Sequence, residues 1–151
     1  MVPQRSLVRI GNGGYRLKEL TVEAIKSNIT PVIAFLDEQL EALDCPVKSQ
    51  MQLDVAVDEL FTNIASYAYA PGTGSATIRI DFDPAERVVS ITFIDSGIPY
   101  DPLQKPDPDV TLSAEERSIG GLGIFLVKKT MDEMTYRYEN NQNIVTIRKK
   151  I

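Results

Sequence analysis

The chain has 151 residues, 43 % of them apolar, which is enough for one domain with a hydrophobic core. A net charge of −5 and the lack of a basic stripe interleaved with aromatics argue against nucleic acid as a partner, since phosphate neutralisation needs clustered Lys and Arg. The chain contains no histidine. That excludes Ser–His and Cys–His nucleophiles, histidine-ligated zinc and self-phosphorylation on histidine, and leaves a carboxylate, lysine, tyrosine or terminal amine as any general base.

Residues 1–16 read as an N-terminal arm. MVPQRSLVRIGNGGYR lacks the apolar core of a secretory signal, and no Gly-Lys-Ser/Thr follows GNGG, so the cluster is not a Walker loop. No apolar stretch approaches the roughly 18 residues that span a bilayer, so the expectation is a cytoplasmic protein with no membrane partner. Residues 17–22 alternate as a short strand.

Helical spacing then takes over at Ile29, Ile33, Leu36, Leu40 and Leu43. Pro31 fits only the first turn of this helix, so it starts near residues 27–30, and Cys45-Pro46 ends it. The single cysteine, Cys45, rules out an intrachain disulfide and reads as a small buried hydrophobe rather than a reactive thiol. A second helix runs from about Lys48 to Tyr69, with Leu53, Val57, Leu60, Ile64 and Ala68 as its apolar stripe. Beside that stripe, in VAVDELFTNIASYAY, Glu59 and Asn63 stand one helical turn apart and share a face. A carboxylate there can take a proton from a hydroxyl, and an amide oxygen can ligate a hard cation. Pro71-Gly72-Thr73-Gly74 breaks the helix.

The period next changes to two. Ile78, Ile80 and Phe82, then Val89, Ile91 and Phe93, flank the turn DPAER and predict a hairpin whose second strand ends at Asp95-Ser96-Gly97. Residues 98–119 carry four prolines and little periodicity, which suggests a lid. A third helix begins near Gly123, after a glycine run able to present amides to phosphate. Residues 134–139 and 144–150 are strands around a turn at 140–143. This order predicts an α+β fold: two layers, a mixed, mostly antiparallel sheet, and helices on one face.

Taken together, DELFTN, DSGIPYDP and GGLGIFLVKKTMDE, in this order, resemble the ATPase domain shared by gyrase, the ninety-kilodalton heat-shock chaperone, histidine kinases and MutL proteins. Within that superfamily the chain is similar to the small anti-sigma factor serine kinases of the RsbW and SpoIIAB type. The resemblance runs from Leu17 to Ile151, and so implies a single ATPase domain over 17–151 with the Bergerat ATP-binding fold. It also implies ATP and Mg2+ as cofactors.

By that resemblance, Glu59 is the catalytic base toward the acceptor hydroxyl, and the Asn63 oxygen binds magnesium and nucleotide. Taken alone, the pair reads equally as a helix-surface glutamate and an interface amide. Asp95 accepts from the adenine amino group, and Gly97 lets the base approach the backbone; a strand-end turn would use the same residues. Gly120, Gly121 and Gly123, with Ile124 and Phe125, offer helix N-terminal amides to phosphate, or form a plain glycine-rich turn. Thr146 matches a threonine near the adenine, or is a strand threonine. Arg117 is either a contact to the terminal phosphate or a solvated lid residue. Asp101 receives no role beyond turn or cap, because a carboxylate beside phosphates repels them. After the magnesium asparagine the family often has His or a charged residue, whereas here the segment is NIASYAY.

The implied activity is an ATP-dependent serine/threonine kinase. Its implied substrate is a STAS-type anti-anti-sigma protein, its second partner a sigma factor, and its state a homodimer. The alternative is a nucleotide-dependent regulator-binding module without transfer.

Overall fold

The computed structural model describes residues 4–10, 15–104 and 121–151. Its strands are β1 (Gln4–Ile10), β2 (Tyr15–Glu23), β3 (Ser75–Asp83), β4 (Val88–Asp95), β5 (Glu133–Glu139) and β6 (Gln142–Lys150). Its α-helices are α1 (Ile29–Ala42), α2 (Val47–Asn63) and α3 (Gly121–Thr130). The strands form one six-stranded sheet in the order β1-β2-β3-β4-β6-β5. Every neighbouring pair is antiparallel, so the sheet is not mixed: short hairpins make three of its five pairings, the β2–β3 pairing is made across α1 and α2, and the β4–β6 pairing across α3 and β5.

The chain start departs from the irregular arm read from sequence. Gln4–Ile10 adds to the sheet edge as β1, with Ile10 opposite Tyr15 and Gln4 opposite Thr21. Alternation is weak over so few residues, and the pairing partner β2 makes the strand.

Each helix buries one stripe. On α2, Leu53, Ala56, Val57, Leu60 and Phe61 are buried, at spacings of three, one, three and one. The buried line of α1 is Val32, Phe35, Leu36 and Leu40, while Ile29, Ile33 and Leu43 flank it half-buried. Both lines meet the inward residues of the sheet, such as Leu20, Ile78, Ile91, Phe93 and Ile147, in one core. Each fully buried Leu or Phe contributes about 1.5–3 kcal/mol. α2 lies between α1 and α3, so it reaches both the core and the glycine-led start of α3.

Where α1 meets α2, the Gln50 amide donates to Asp37 Oδ1 at 3.1 Å, and the Asp54 carboxyl lies nearby with its Oδ1 buried and without a hydrogen-bond partner among the described residues. Burial and the neighbouring Asp37 push Asp54 up to about 7. Cys45 packs half-buried against the core, and burial raises its thiol, as expected of an inert cysteine.

The β5–β6 turn is shorter than its sequence suggests. Asn140 and Asn141 alone make it, with φ of 53° and 61°, the left-handed conformations of a two-residue hairpin. Consequently Asn143 is a strand residue.

Candidate functional site

The last turn of α2 widens into a π-helical turn at Ile64–Ala68. Such turns recur at functional sites because they re-aim side chains without ending the helix. Here Asn63, Ile64, Tyr67 and Ala68 line a cavity together with Asp95, Ile98, Tyr100 and Asn143; Leu60, Phe93 and Val145 make its apolar wall. Its volume is about 40 Å³. Sites that engulf a small molecule usually measure roughly 300–1,000 Å³, so nucleotide entry requires the exposed rim residues Tyr67, Ile98 and Tyr100 to move.

At one end of this cavity lies Asp95, 6 % exposed at the end of β4. Its Oδ1 accepts from the Gly97 amide at 2.9 Å and from Asn143 Nδ2 at 3.0 Å. Among the described residues nothing bonds Oδ2, so that oxygen is available to a ligand. Burial pushes the Asp95 carboxyl up, and the two donations oppose this. Gly97 has a packing reason of its own: a Cβ there would stand 2.2 Å from the Ala68 carbonyl oxygen. That carbonyl accepts from Ile98 N at 2.9 Å, which ties the strand end to the π turn.

Tyr69 fastens the same corner. Its hydroxyl donates to the Ser75 carbonyl at 2.6 Å and accepts from Ser96 N at 2.7 Å, linking the start of β3 to the end of β4.

Glu59, one turn before Asn63, is half-buried, and both burial and the adjacent Asp58 charge raise its carboxyl. It lies against α3. A Cβ at Gly123 would fall 1.9 Å from Glu59 Oε2. Glu59 therefore meets the first turn of α3, where the amides of Gly121 to Gly123 have no partner within the helix. Helix α2 thus links two neighbourhoods: Asn63 lines the cavity with Asp95, and Glu59, one turn earlier, meets the start of α3. The residues present fit a magnesium nucleotide: Asn63 supplies one oxygen ligand, and magnesium typically needs few from protein.

A model of the histidine kinase-like ATPase domain matches residues 22–149.

This chain belongs to that family.

Within the histidine kinase-like ATPase family it is similar to named kinases. The serine/threonine-protein kinase BtrW of Bordetella bronchiseptica is 32 % identical over 95 residues, covering 63 % of this chain and 66 % of BtrW. The serine-protein kinase RsbW of Listeria monocytogenes is 31 % identical over 97 residues, covering 62 % of this chain and 61 % of RsbW. The matches span less than two thirds of those relatives' lengths. A chain in the crystal structure of the SiaB–SiaC complex from Pseudomonas aeruginosa shares the fold, with TM-score 0.53, 18 % identity, and coverage of 87 % of this chain and 89 % of that one.

Measured against the family pattern, the residues separate into groups. Asn63 and Asp95 line one cavity. Glu59 and Gly123 touch. Gly121 opens α3. Arg117 and Gly120 lie outside the described residues.

Thr146 is a correction. Asn143, Val145 and Ile147 point inward on β6, so Thr146 faces the opposite side, where its hydroxyl meets that of Thr92 at 3.1 Å. The Ile124 side chain, at 2 % exposure, belongs to the core rather than to the cavity. Phe125 is half-buried, and the Lys129 ammonium sits 5.4 Å from its ring centre. Asp101 acts as a cap, accepting from Leu103 N at 2.9 Å.

The sequence alone hides Asn143, because NNQN has the composition of a turn. Counting back by twos from Ile147 would have placed it on the inner face.

No helix among the described residues is long and apolar enough to cross a membrane.

Proposed function

We propose that this chain is an ATP-dependent serine/threonine kinase that acts as an anti-sigma regulator. Its substrate on this reading is a serine of a STAS-type anti-anti-sigma protein, and its second partner is a sigma factor that it sequesters. The observation that carries the kinase reading is the Glu59 carboxylate lying against Gly123, at the helix start suited to phosphate. The names of BtrW and RsbW support the same activity. A homodimer and a cytoplasmic location belong to the same proposal.

The residues divide the work as follows. Asp95 Oδ2 accepts from the adenine amine, and the apolar wall of Leu60, Phe93 and Val145 takes the ring. The α3 amides and the Asn63 side face the phosphates. Magnesium, held through Asn63, would neutralise phosphate charge. Glu59 receives the proton of the acceptor serine as the serine oxygen bonds to the terminal phosphorus. The bond from that phosphorus to the bridging oxygen breaks, and ADP leaves. Phosphoryl transfer has a loose transition state, so placement matters more than base strength. A raised Glu59 carboxyl is nonetheless a better proton acceptor once ionised.

The rival is a module that binds a regulator and uses nucleotide only as a structural ligand. Incubation with labelled ATP and a STAS-domain protein separates the two. Label on one serine supports the kinase; ATP binding with no transfer to any STAS protein supports the rival.

A further inference from the structure

Asn143 is 4 % exposed, and its side-chain amide is fully used. Nδ2 donates to Asp95 Oδ1 at 3.0 Å and to the Ile98 carbonyl at 2.8 Å. Oδ1 accepts from Tyr100 N at 3.0 Å and from the Tyr136 hydroxyl at 2.6 Å. An amide has two donors and two acceptor lone pairs, and all are taken. Flipping it would set its oxygen against two acceptors and its NH2 against the Tyr100 N–H. The amide is therefore locked as a donor toward Asp95.

The consequence falls on the other carboxylate oxygen. Two N–H groups, from Gly97 and Asn143, converge on Oδ1, and such donation favours the ionised form. Oδ2 has no donor among the described residues and is left as an acceptor. Were Asp95 to take up a proton, Oδ2 could instead donate, and it would then suit a base carrying a carbonyl. The same amide holds the Ile98–Tyr100 backbone beside the cavity, so the wall and the acid are placed by one group.

We propose that Asn143 sets base specificity. By donating to Asp95 Oδ1 it keeps Oδ2 an acceptor only, and so selects a purine with an exocyclic amine over one with a carbonyl at that carbon. This rests on the reading of Asp95 as the base-recognising acid. Asn143 is a positioning residue, acting on the base through Asp95. Burial strains Asp95 toward its protonated form, and Asn143 heads the opposing donations.

The test is calorimetric titration with ATP and with ITP, which carries a carbonyl in place of the adenine amine, in magnesium buffer from pH 5 to 8. The unmodified protein should prefer ATP about tenfold or more, with a ratio flat across that range. In Asn143→Asp a second carboxyl shares a proton with Asp95, so the ratio should fall about tenfold and depend on pH, ITP binding improving toward acid. Asn143→Ser should lower the ratio too. Tyr136→Phe keeps both amide donors and should hold the ratio within about twofold.

An unchanged, pH-flat ratio in both Asn143 variants overturns the proposal alone, as does an equal loss in Tyr136→Phe. If neither Asn143 variant folds, the infrared difference between the unmodified protein and Asp95→Asn decides: an ionised Asp95 at pH 6 supports the proposal, and a protonated one overturns it. Failure of the unmodified protein to bind either nucleotide would remove the Asp95 reading itself.

Discussion

The Glu59 carboxylate fills the space that a side chain at position 123 would need: a Cβ on Gly123 would lie 1.9 Å from Glu59 Oε2. Helix α3 can approach Glu59 of α2 this closely because residue 123 has no side chain. The proposed base and the phosphate-facing helix start are thereby held at a fixed separation.

Gly123→Ala should displace either the carboxylate or α3. We expect a loss of about 1–3 kcal/mol in chemical denaturation, from overpacking, together with reduced phosphotransfer. In the Glu59→Ala background the same change should cost much less stability, because the clash partner is gone. Equal costs in both backgrounds would contradict the contact.

Glu59→Gln keeps size and removes the proton acceptor. Phosphotransfer to a STAS-domain substrate should fall about 10²-fold or more, with ATP affinity within about twofold of the unmodified protein. Quench-flow transfer assays and calorimetry read the two quantities separately. Comparable transfer by both proteins would remove Glu59 from the reaction.

Thr146→Val should leave ATP affinity within about twofold, since its hydroxyl meets Thr92 on the far face of the sheet. Asp95→Asn, by contrast, should weaken ATP about tenfold or more, because the amide has one acceptor oxygen where the carboxylate has two.

The Asp54–Asp37 pair predicts a pH effect on stability. The Asp54 carboxyl, ordinarily near 3.8, is raised to about 7 in the folded protein, so the folded chain binds this proton more tightly than the unfolded one. Its contribution is fully present below pH 3.8 and is lost as pH rises through about 7. This contribution should lower the melting temperature between pH 5 and 8. Asp54→Asn, which places no charge beside Asp37, should flatten that slope and raise the melting temperature at pH 8. A slope unchanged by the substitution would exclude the pair as its source.

Tyr69→Phe removes a hydroxyl that joins Ser75 O to Ser96 N. Leaving that amide and carbonyl to water should cost about 1 kcal/mol in urea denaturation, and should loosen the strand end that presents Asp95.

Periodicity alone placed most elements. The step of three and four in α2, the alternation of β3 and β4, and the breaks at Pro71-Gly72 and Asp95-Ser96-Gly97 are properties of neighbouring residues, and a linear reading captures them. Glu59 and Asn63 sharing a helix face is likewise a local fact. What the chain order could not decide depended on partners distant in sequence. β1 exists through pairing with β2, Gly97 is required by the Ala68 carbonyl, and Gly123 is required by Glu59. On β6, the two-residue turn at Asn140–Asn141 set the parity of the whole strand, which turned Asn143 toward Asp95 and Thr146 away from it. A shift of one residue in strand register exchanges the two faces, and only the assembled sheet, with helices on one side, determines which face is inside.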